Sequence, residues 1–437
     1  MNIVISNCVG ILDNGQEVIP YPSRWDSGLP NGQKKPFAFY PYELALLSTL
    51  LKRELGQHSV KMLDPNIESW DGDRTIEEIA KYQPDVLIME LSALTYPTMT
   101  RVLAGVRGSI HKDVESILCG PMAAVDHKEA EHIRRWNVAI RGEYELEALH
   151  HLGGTVPPRA RTDAGLINLD WLPWPEDEDV DRSRYYEVNH YAEPAVIQVY
   201  PTRGCPLSCT FCVVPTYYGG HGKTSRSHRT RDVGDVCDEI EYLAELYPSF
   251  RGCYFNEEAH SANPEWLRSF CTELIRRGLN KYSYDAMCGM WSFDEALVKL
   301  CAEAGYKQIR FGMESTSATV GKAIHKTIHK DKTEIFLGWL KKYGIKAYAT
   351  VQIGAMGSTE TIDRQTLEDV RRWYAMGLLQ KHQVSTSTPQ PGTPFYDQAK
   401  EEGWLVTENI NLYDGINAVV SYPEYTADRI QAVRMAA

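Results

Sequence analysis

Thr202-Arg-Gly-Cys-Pro-Leu-Ser-Cys-Thr-Phe-Cys212 carries three cysteines, Cys205, Cys209 and Cys212, in the spacing Cys-x3-Cys-x2-Cys. Thiolates are the soft ligands that iron–sulfur clusters take. A [4Fe–4S] cube held by three cysteines keeps one iron open to another ligand. That vacancy accepts the amine and carboxylate of S-adenosylmethionine (SAM), and the reduced cluster can pass an electron to the sulfonium and break a carbon–sulfur bond. A structural zinc knot would want a fourth Cys or His at ligand spacing, and usually two separated pairs. His221 is the nearest candidate, and no pair with ligand spacing follows it. Phe211 before the last cysteine and Arg203-Gly204 before the first also favour the cluster over three unrelated buried thiols.

Outward from this loop, the chain is long enough for two or three domains: 437 residues, 43% of them hydrophobic. A formal charge of −12 and a pI near 5.6 argue against a nucleic-acid groove as the main binding surface. Ten cysteines, mostly scattered, do not make the dense framework of a small secreted protein. A thiolate cluster needs a reducing compartment, so the expected location is cytoplasmic. The opening Met1-Asn-Ile-Val-Ile-Ser-Asn-Cys8 lacks a basic stretch and a long apolar core, so no signal peptide is expected. No apolar run reaches the ~18 residues of a membrane span.

Upstream of the loop, strands are expected at 2–5, 59–63, 85–89, 114–119 and 137–140. Helices are expected at 42–55, 75–82, 98–110, 129–136 and 143–152. This alternation predicts a doubly wound parallel sheet of Rossmann-like type over 1–153, binding its ligand beyond the carboxyl ends of the strands. Residues 154–194 are rich in proline and carry the acidic run 176–181; they read as a linker with a solvated acidic loop. From 195 to 400 a second alternation begins. Its six strands, at 196–200, 252–255, 282–286, 308–311, 347–351 and 383–386, predict a partial (β/α)6 barrel. Residues 401–437 read as a short C-terminal segment.

With the cysteine run and the strand order in hand, the chain resembles the radical SAM superfamily. Its order resembles the subgroup with an N-terminal cobalamin-binding domain, the class B methyltransferase-like enzymes. The resemblance covers roughly residues 1–425, including Pro41-Tyr-Glu-Leu-Ala, His58-Ser-Val-Lys-Met-Leu-Asp64, Arg141-Gly-Glu-Tyr-Glu145 and Pro389-Gln-Pro-Gly-Thr-Pro394. It implies SAM contacts from Glu258, or second Glu257, to the methionine ammonium, and from Glu314 with Ser315 to the ribose. Gly354 and Phe211 would lie beside the adenine, and Gln390 falls in the sixth-strand motif. It also implies a cobalamin between sheet and barrel, contacted by Asn7, Ser92, Gly120, Gly142 and Glu143.

The implied activity is reductive SAM cleavage to a 5′-deoxyadenosyl radical and cobalamin-dependent methylation of an unactivated carbon in a small molecule or peptide. A reductant such as flavodoxin or ferredoxin would supply the electron. The alternatives are a radical SAM cyclase or rearrangement enzyme, a cobalamin-free hydrogen-abstracting enzyme and, more remotely, a non-catalytic iron–sulfur or corrinoid module. The chain departs from one pattern: no Asp-x-His-x-x-Gly is present, and Asp126-His127-Lys is not that motif, so no lower axial histidine is offered. Little room follows the barrel for a separate substrate domain, so the substrate is expected at the barrel mouth and the N-terminal domain. Tyr200, Tyr254 and Tyr348 read as core, with a relay of hydrogen atoms near the site as the alternative. Tyr217-Tyr218-Gly-Gly-His221 and the basic run 223–231 read as a solvated loop and helix start, with a lid contacting substrate or cofactor as the sharper alternative. The scattered cysteines show no close pair.

Overall fold

The computed structural model describes residues 1–19, 27–29, 38–110, 113–124, 138–185, 196–219 and 226–437. The expected helix at 129–136, with His127 and His221, lies outside them. The chain divides into two compact units. One comprises Met1–Val188 with Val213–Ser225; the other comprises Asn189–Cys212 with Arg226–Ala437.

The first unit is built on β1 (Asn2–Ser6), α1 (Tyr42–Glu54), β2 (Ser59–Leu63), α2 (Gly72–Ala80), β3 (Val86–Glu90), α3 (Tyr96–Ser109), β4 (Glu115–Cys119), α4 (Pro121–Ala124), β5 (Val138–Ala139), α5 (Glu145–His151) and, after the third cysteine, α6 (Val214–Gly219). The strands pair in the order β2-β1-β3-β4-β5, all parallel. Strand β3 is buried along its whole length, as a parallel strand covered on both faces must be. Helix α1 packs with α5, and α2 packs with α3. The order reverses between β1 and β3, and an open α/β sheet binds its ligands at such a switch point, outside the carboxyl ends.

The stretch read as a linker belongs to this unit as far as Val188, and its acidic run is solvated only in part, at Glu178 and Asp181. Glu176 is buried, accepting from Lys52 Nζ at 2.5 Å and from the Ser48 hydroxyl at 2.9 Å. Asp179 accepts from Lys61 Nζ at 2.6 Å and from the Met62 amide at 2.8 Å. Arg182, wholly buried, lies over the rings of Tyr40 and Tyr42 at 5.1 and 5.9 Å. The carboxylates find cations on α1 and β2, more than a hundred residues away in sequence, so local composition did not reveal them.

The second unit carries β6 (Val196–Gln198), β7 (Thr202–Gly204), β8 (His228–Thr230), α7 (Val233–Leu246), β9 (Gly252–Phe255), α8 (Pro264–Arg276), β10 (Ser283–Cys288), α9 (Glu295–Glu303), β11 (Tyr306–Glu314), α10 (Ala318–Ala323), α11 (Lys330–Lys342), β12 (Lys346–Ile353), α12 (Glu360–Ala375), β13 (Lys381–Thr386), α13 (Pro394–Glu401) and α14 (Ala427–Met435). Six parallel strands pair sequentially, β6-β9-β10-β11-β12-β13, into the expected (β/α)6 half-barrel. Side-chain oxygens cap its helices: Asp232 on α7, Asn263 on α8, Asp294 on α9, Thr359 on α12 and Thr393 on α13.

The strands face two ways. Phe255 packs on Phe270 of α8 and Phe311 on Phe336 of α11, so this face meets the helices. Alternate residues point to the opposite, concave face. There the chain places Tyr254, Asp285, Arg310 and Tyr348. Arg310 holds Asp285 at 2.6 Å and lies between the rings of Tyr254 (4.4 Å) and Tyr348 (4.9 Å). Tyr254 and Tyr348 are thus not apolar core but two walls around a buried ion pair. Cys271 of α8 and Cys301 of α9 also come together, their sulfurs 3.8 Å apart, a closeness that their separation in sequence concealed. No helix among the described residues is long and apolar enough to cross a membrane.

Candidate active site

The cysteine run starts on a hairpin. Strand β7 pairs antiparallel with β8, setting Gly204 opposite His228. Gly204 has φ +90°, and a Cβ there would lie 2.2 Å from the Ser227 carbonyl oxygen, so only glycine fits. Its N–H donates to Glu258 Oε2 at 3.0 Å. Further on, the Cys212 N–H donates to the Cys209 carbonyl at 3.1 Å. The Thr210 N–H donates to the Ile324 carbonyl at 3.1 Å, and the Phe395 N–H donates to the Thr210 carbonyl at 2.9 Å. The loop is therefore pinned to the end of α10 and the start of α13.

Cys209 is buried, and Cys205 and Cys212 are half-buried. Burial pushes the Cys209 thiol up to about 11; Lys326 opposes the rise, while Glu314 and Cys205 add to it. Metal binding therefore has to displace a proton from this sulfur, as thiolate ligation generally does. Among the described residues, no three His, Cys, Asp or Glu side chains are gathered to hold a single metal ion. A zinc knot requires such a cage. An iron–sulfur cube does not, because each thiolate takes a different iron. Three thiols on one pinned loop fit the cube. The Thr210 hydroxyl and Glu257 Oε2 are buried polar atoms without a hydrogen-bond partner among the described residues.

The two glutamates after β9 have separate surroundings. Glu257 is wholly buried; its Oε1 lies 2.6 Å from His260 Nδ1 and accepts from the Thr202 hydroxyl at 3.2 Å. The other ring nitrogen of His260 is 2.7 Å from the Tyr306 hydroxyl, and the imidazole stacks on Phe255 at 4.6 Å. This Glu–His–Tyr chain escaped the sequence reading because Tyr306 is 46 residues from His260. Glu258 is half-buried and bonded to the cysteine hairpin.

Glu314 ends β11 with φ +63°, where the pairing with β12 is irregular. A non-glycine residue in this region is strained and marks a place where neighbours dictate the backbone. Glu314 Oε1 lies 2.7 Å from Lys326 Nζ, and its Oε2 accepts from Gln352 Nε2 at 2.9 Å. Gln352 in turn accepts from the Ser387 hydroxyl. Burial would lower the Lys326 ammonium, but Glu314 and the thiols of Cys209 and Cys205 hold it above the usual lysine value. Ser315 bonds Thr366 at 3.1 Å and caps the Ser317 N–H. Gly354, at φ +74°, donates to Asp363 Oδ2 at 2.7 Å, and Ile430 of α14 fills the space where a Cβ would go. Gln390 donates to the Tyr413 carbonyl, and Phe211 is buried.

In the first unit, Asn7, Ser92 and Gly120 follow the carboxyl ends of β1, β3 and β4, and Gly142 and Glu143 follow β5. Asn7 is engaged internally, donating to Asp64 and accepting from the Cys8 N–H. Ser92 lies 2.7 Å from the Thr95 hydroxyl. Gly120, at φ +88°, has Glu90 and Leu91 where a Cβ would stand. Three buried carboxylates that the sequence reading assigned to no site, Glu43, Glu90 and Glu145, surround this edge. Burial, and then the charge of Glu90, push the thiol of Cys119 and the phenols of Tyr144 and Tyr217 well up. The Tyr144 hydroxyl is buried with no hydrogen-bond partner among the described residues, a donor suited to an amide or phosphate of a large ligand. The described histidines of this unit are His58, beside the amino terminus of β1, and His150 and His151, the latter 2.6 Å from Glu115 at the start of β4. Among the described residues, none is placed at the carboxyl edge.

Comparison with known proteins agrees with this geometry. Residues 199–371 match the sequence model of the radical SAM superfamily. An uncharacterized methyltransferase of Pyrococcus horikoshii is 25% identical over 418 residues, covering 89% of this chain and 85% of the relative. The hopanoid C-3 methylase of Methylococcus capsulatus is 24% identical over 405 residues, covering 87% and 72%. Among solved structures, the radical SAM methyltransferase TsrM of Kitasatospora setae, with cobalamin and a [4Fe–4S] cluster, superposes with a TM-score of 0.64 at 15% identity, over 93% of this chain and 75% of that one. The cobalamin-dependent radical enzyme OxsB superposes at 0.57 and 15% identity, over 98% and 58%. At that identity the likeness speaks for the fold, while the matched stretch spans the cysteine loop and the strands to β12. With three thiols on a pinned loop at the mouth of a (β/α)6 half-barrel, residues 199–371 form a domain of the radical SAM superfamily.

Proposed function

We propose that the enzyme is a cobalamin-dependent methyltransferase acting on an unactivated carbon of a small molecule or peptide. The observation that carries this reading is the first unit: a five-stranded parallel sheet with a switch point, preceding a radical SAM half-barrel in the order seen in TsrM and OxsB. When bound, the cluster with SAM supplies one-electron cleavage and the corrinoid supplies a methyl carrier.

The residues have separate tasks. Cys205, Cys209 and Cys212 give up their protons to hold the cluster. Glu258 faces the methionine ammonium, because Glu257 is committed to His260 and Thr202. Glu314 takes the ribose hydroxyls, its carboxylate oriented by Gln352. Gly354 places the end of its strand beside the adenine, its backbone held there by Asp363 and Ile430, and Phe211 packs close by. In the first unit, Ser92, Gly120, Gly142 and Glu143 line the corrinoid edge, and Tyr144 donates to it. Asn7 supports that edge through Asp64. The reductant is a flavodoxin- or ferredoxin-type donor in a reducing cytoplasm.

The test is anaerobic reconstitution with iron and sulfide, with and without hydroxocobalamin, followed by desalting and an optical spectrum. Retention of corrinoid bands beside cluster absorption is expected. Incubation with SAM, reductant and substrate should then yield S-adenosylhomocysteine together with 5′-deoxyadenosine and methionine. A cluster without retained corrinoid, and no S-adenosylhomocysteine, would replace this reading with a cobalamin-free radical enzyme.

A further inference from the structure

Lys326 is a cation set against the cysteine loop, outside every sequence motif considered above. The Thr210 N–H bonds the carbonyl of Ile324, and the Lys326 N–H turns back to the Gly321 carbonyl at 2.9 Å. The loop and the residues just past α10 are thereby locked together. The Lys326 side chain is only 13% exposed, and its ammonium is 2.7 Å from Glu314 Oε1. Gly312 makes room for the pair, since a Cβ there would lie 2.6 Å from Lys326 Nζ and 2.3 Å from Glu314 Oε1. The ammonium acts electrostatically on both Cys205 and Cys209, and the Glu314 carboxylate acts on Cys209 in the opposite sense.

We propose that Lys326 sets the reduction potential of the cluster, with Glu314 as its counterweight. The inference rests on the reading of Cys205, Cys209 and Cys212 as cluster ligands. One electron enters the cluster from the external flavodoxin- or ferredoxin-type donor and adds one negative charge. A fixed ammonium in a poorly solvated site stabilises that added charge and raises the potential, whereas a fixed carboxylate lowers it. Lys326 is a positioning residue: it acts on the electron's energy without ligating iron.

The experiment is an EPR-monitored redox titration of the reconstituted full-length protein and of Lys326→Met, Lys326→Arg and Glu314→Gln variants. Lys326→Met should shift the midpoint to more negative values, Lys326→Arg should stay near the parent, and Glu314→Gln should shift it to more positive values. Should Lys326→Met fail to load a cluster, Glu314→Gln still decides, since an unchanged or lowered midpoint there overturns the proposal. Shifts of the same sign in Lys326→Met and Glu314→Gln, or none at iron content equal to the parent, would reduce Lys326 to a structural ion pair. If the parent protein itself takes no cluster, the reading of the cysteines fails, and the inference falls with it.

Discussion

Asp363 shows how much one buried carboxyl organises. It accepts from the Gly354 N–H at 2.7 Å, from the Tyr425 hydroxyl at 2.9 Å and from the Ser358 hydroxyl. Burial nevertheless pushes its carboxyl up to about 6, from an ordinary value of 3.8, against those bonds. The folded state therefore binds this proton more tightly than the unfolded chain does. The resulting stabilisation is complete below about pH 4 and is lost as pH rises through about 6. Its size is on the order of 3 kcal/mol. Asp363→Asn keeps an acceptor for Gly354 and Tyr425 and removes the titration. The thermal midpoint of the parent apoprotein should accordingly fall, relative to the variant, between about pH 4 and pH 6.5. A constant offset across that range would contradict the assignment. Residues like this were invisible to the sequence reading: Asp363 sits inside an amphipathic helix, and its meaning comes from Gly354 and Tyr425, which only the fold brings to it.

At the scale of elements, the sequence was most legible where period and caps agree. The strands of both sheets were found from buried apolar runs such as Val86–Glu90, and helices such as Pro264–Arg276 from a cap followed by proline. It was least legible where an element's partner is remote. The acidic run read as solvated is held by Lys52 and Lys61. The tail after α13 read as a short ending, yet Tyr422 donates to the Gly354 carbonyl, and Ile430 of α14 packs on the same glycine. Two outcomes follow from these elements. Gly204→Ala forces a side chain into the Ser227 carbonyl at positive φ, a strain of about 1–3 kcal/mol. It should lower the iron incorporated on reconstitution while the first unit's ligand binding is unaffected. Tyr425→Phe removes one hydrogen bond from Asp363, worth about 1 kcal/mol. It should weaken SAM binding, measured by calorimetry on the reconstituted protein, more than it lowers the thermal midpoint.

For the whole molecule, the two proposed cofactor sites draw on different units. The cluster cysteines belong to the second, and the corrinoid edge belongs to the first. Loading should therefore be separable. Cys209→Ala is expected to lose cluster absorption and SAM cleavage yet keep the corrinoid bands. Loss of both together would mean that the assignment of sites to units is wrong. Lys52→Met, which leaves the buried Glu176 without its ammonium, should cost the protein a few kcal/mol. The loss should appear as a lowered thermal midpoint of the apoprotein, with iron uptake by the surviving folded fraction unchanged.

The chain leaves the first unit after Val188, returns to it at Val213, one residue past the third cysteine, and leaves again after Ser225. The returning stretch supplies a helix, Val214–Gly219, that packs against Pro121–Ala124 of the first unit. Such interleaving bears on heredity and engineering. No single crossover in the gene could exchange one unit for a foreign counterpart, because the insert would arrive without the segment after Cys212 and the recipient would keep a helix with nothing to cover. Chimeras between relatives must therefore be made with two inserts, and lineages of this architecture are expected to inherit both units as one block.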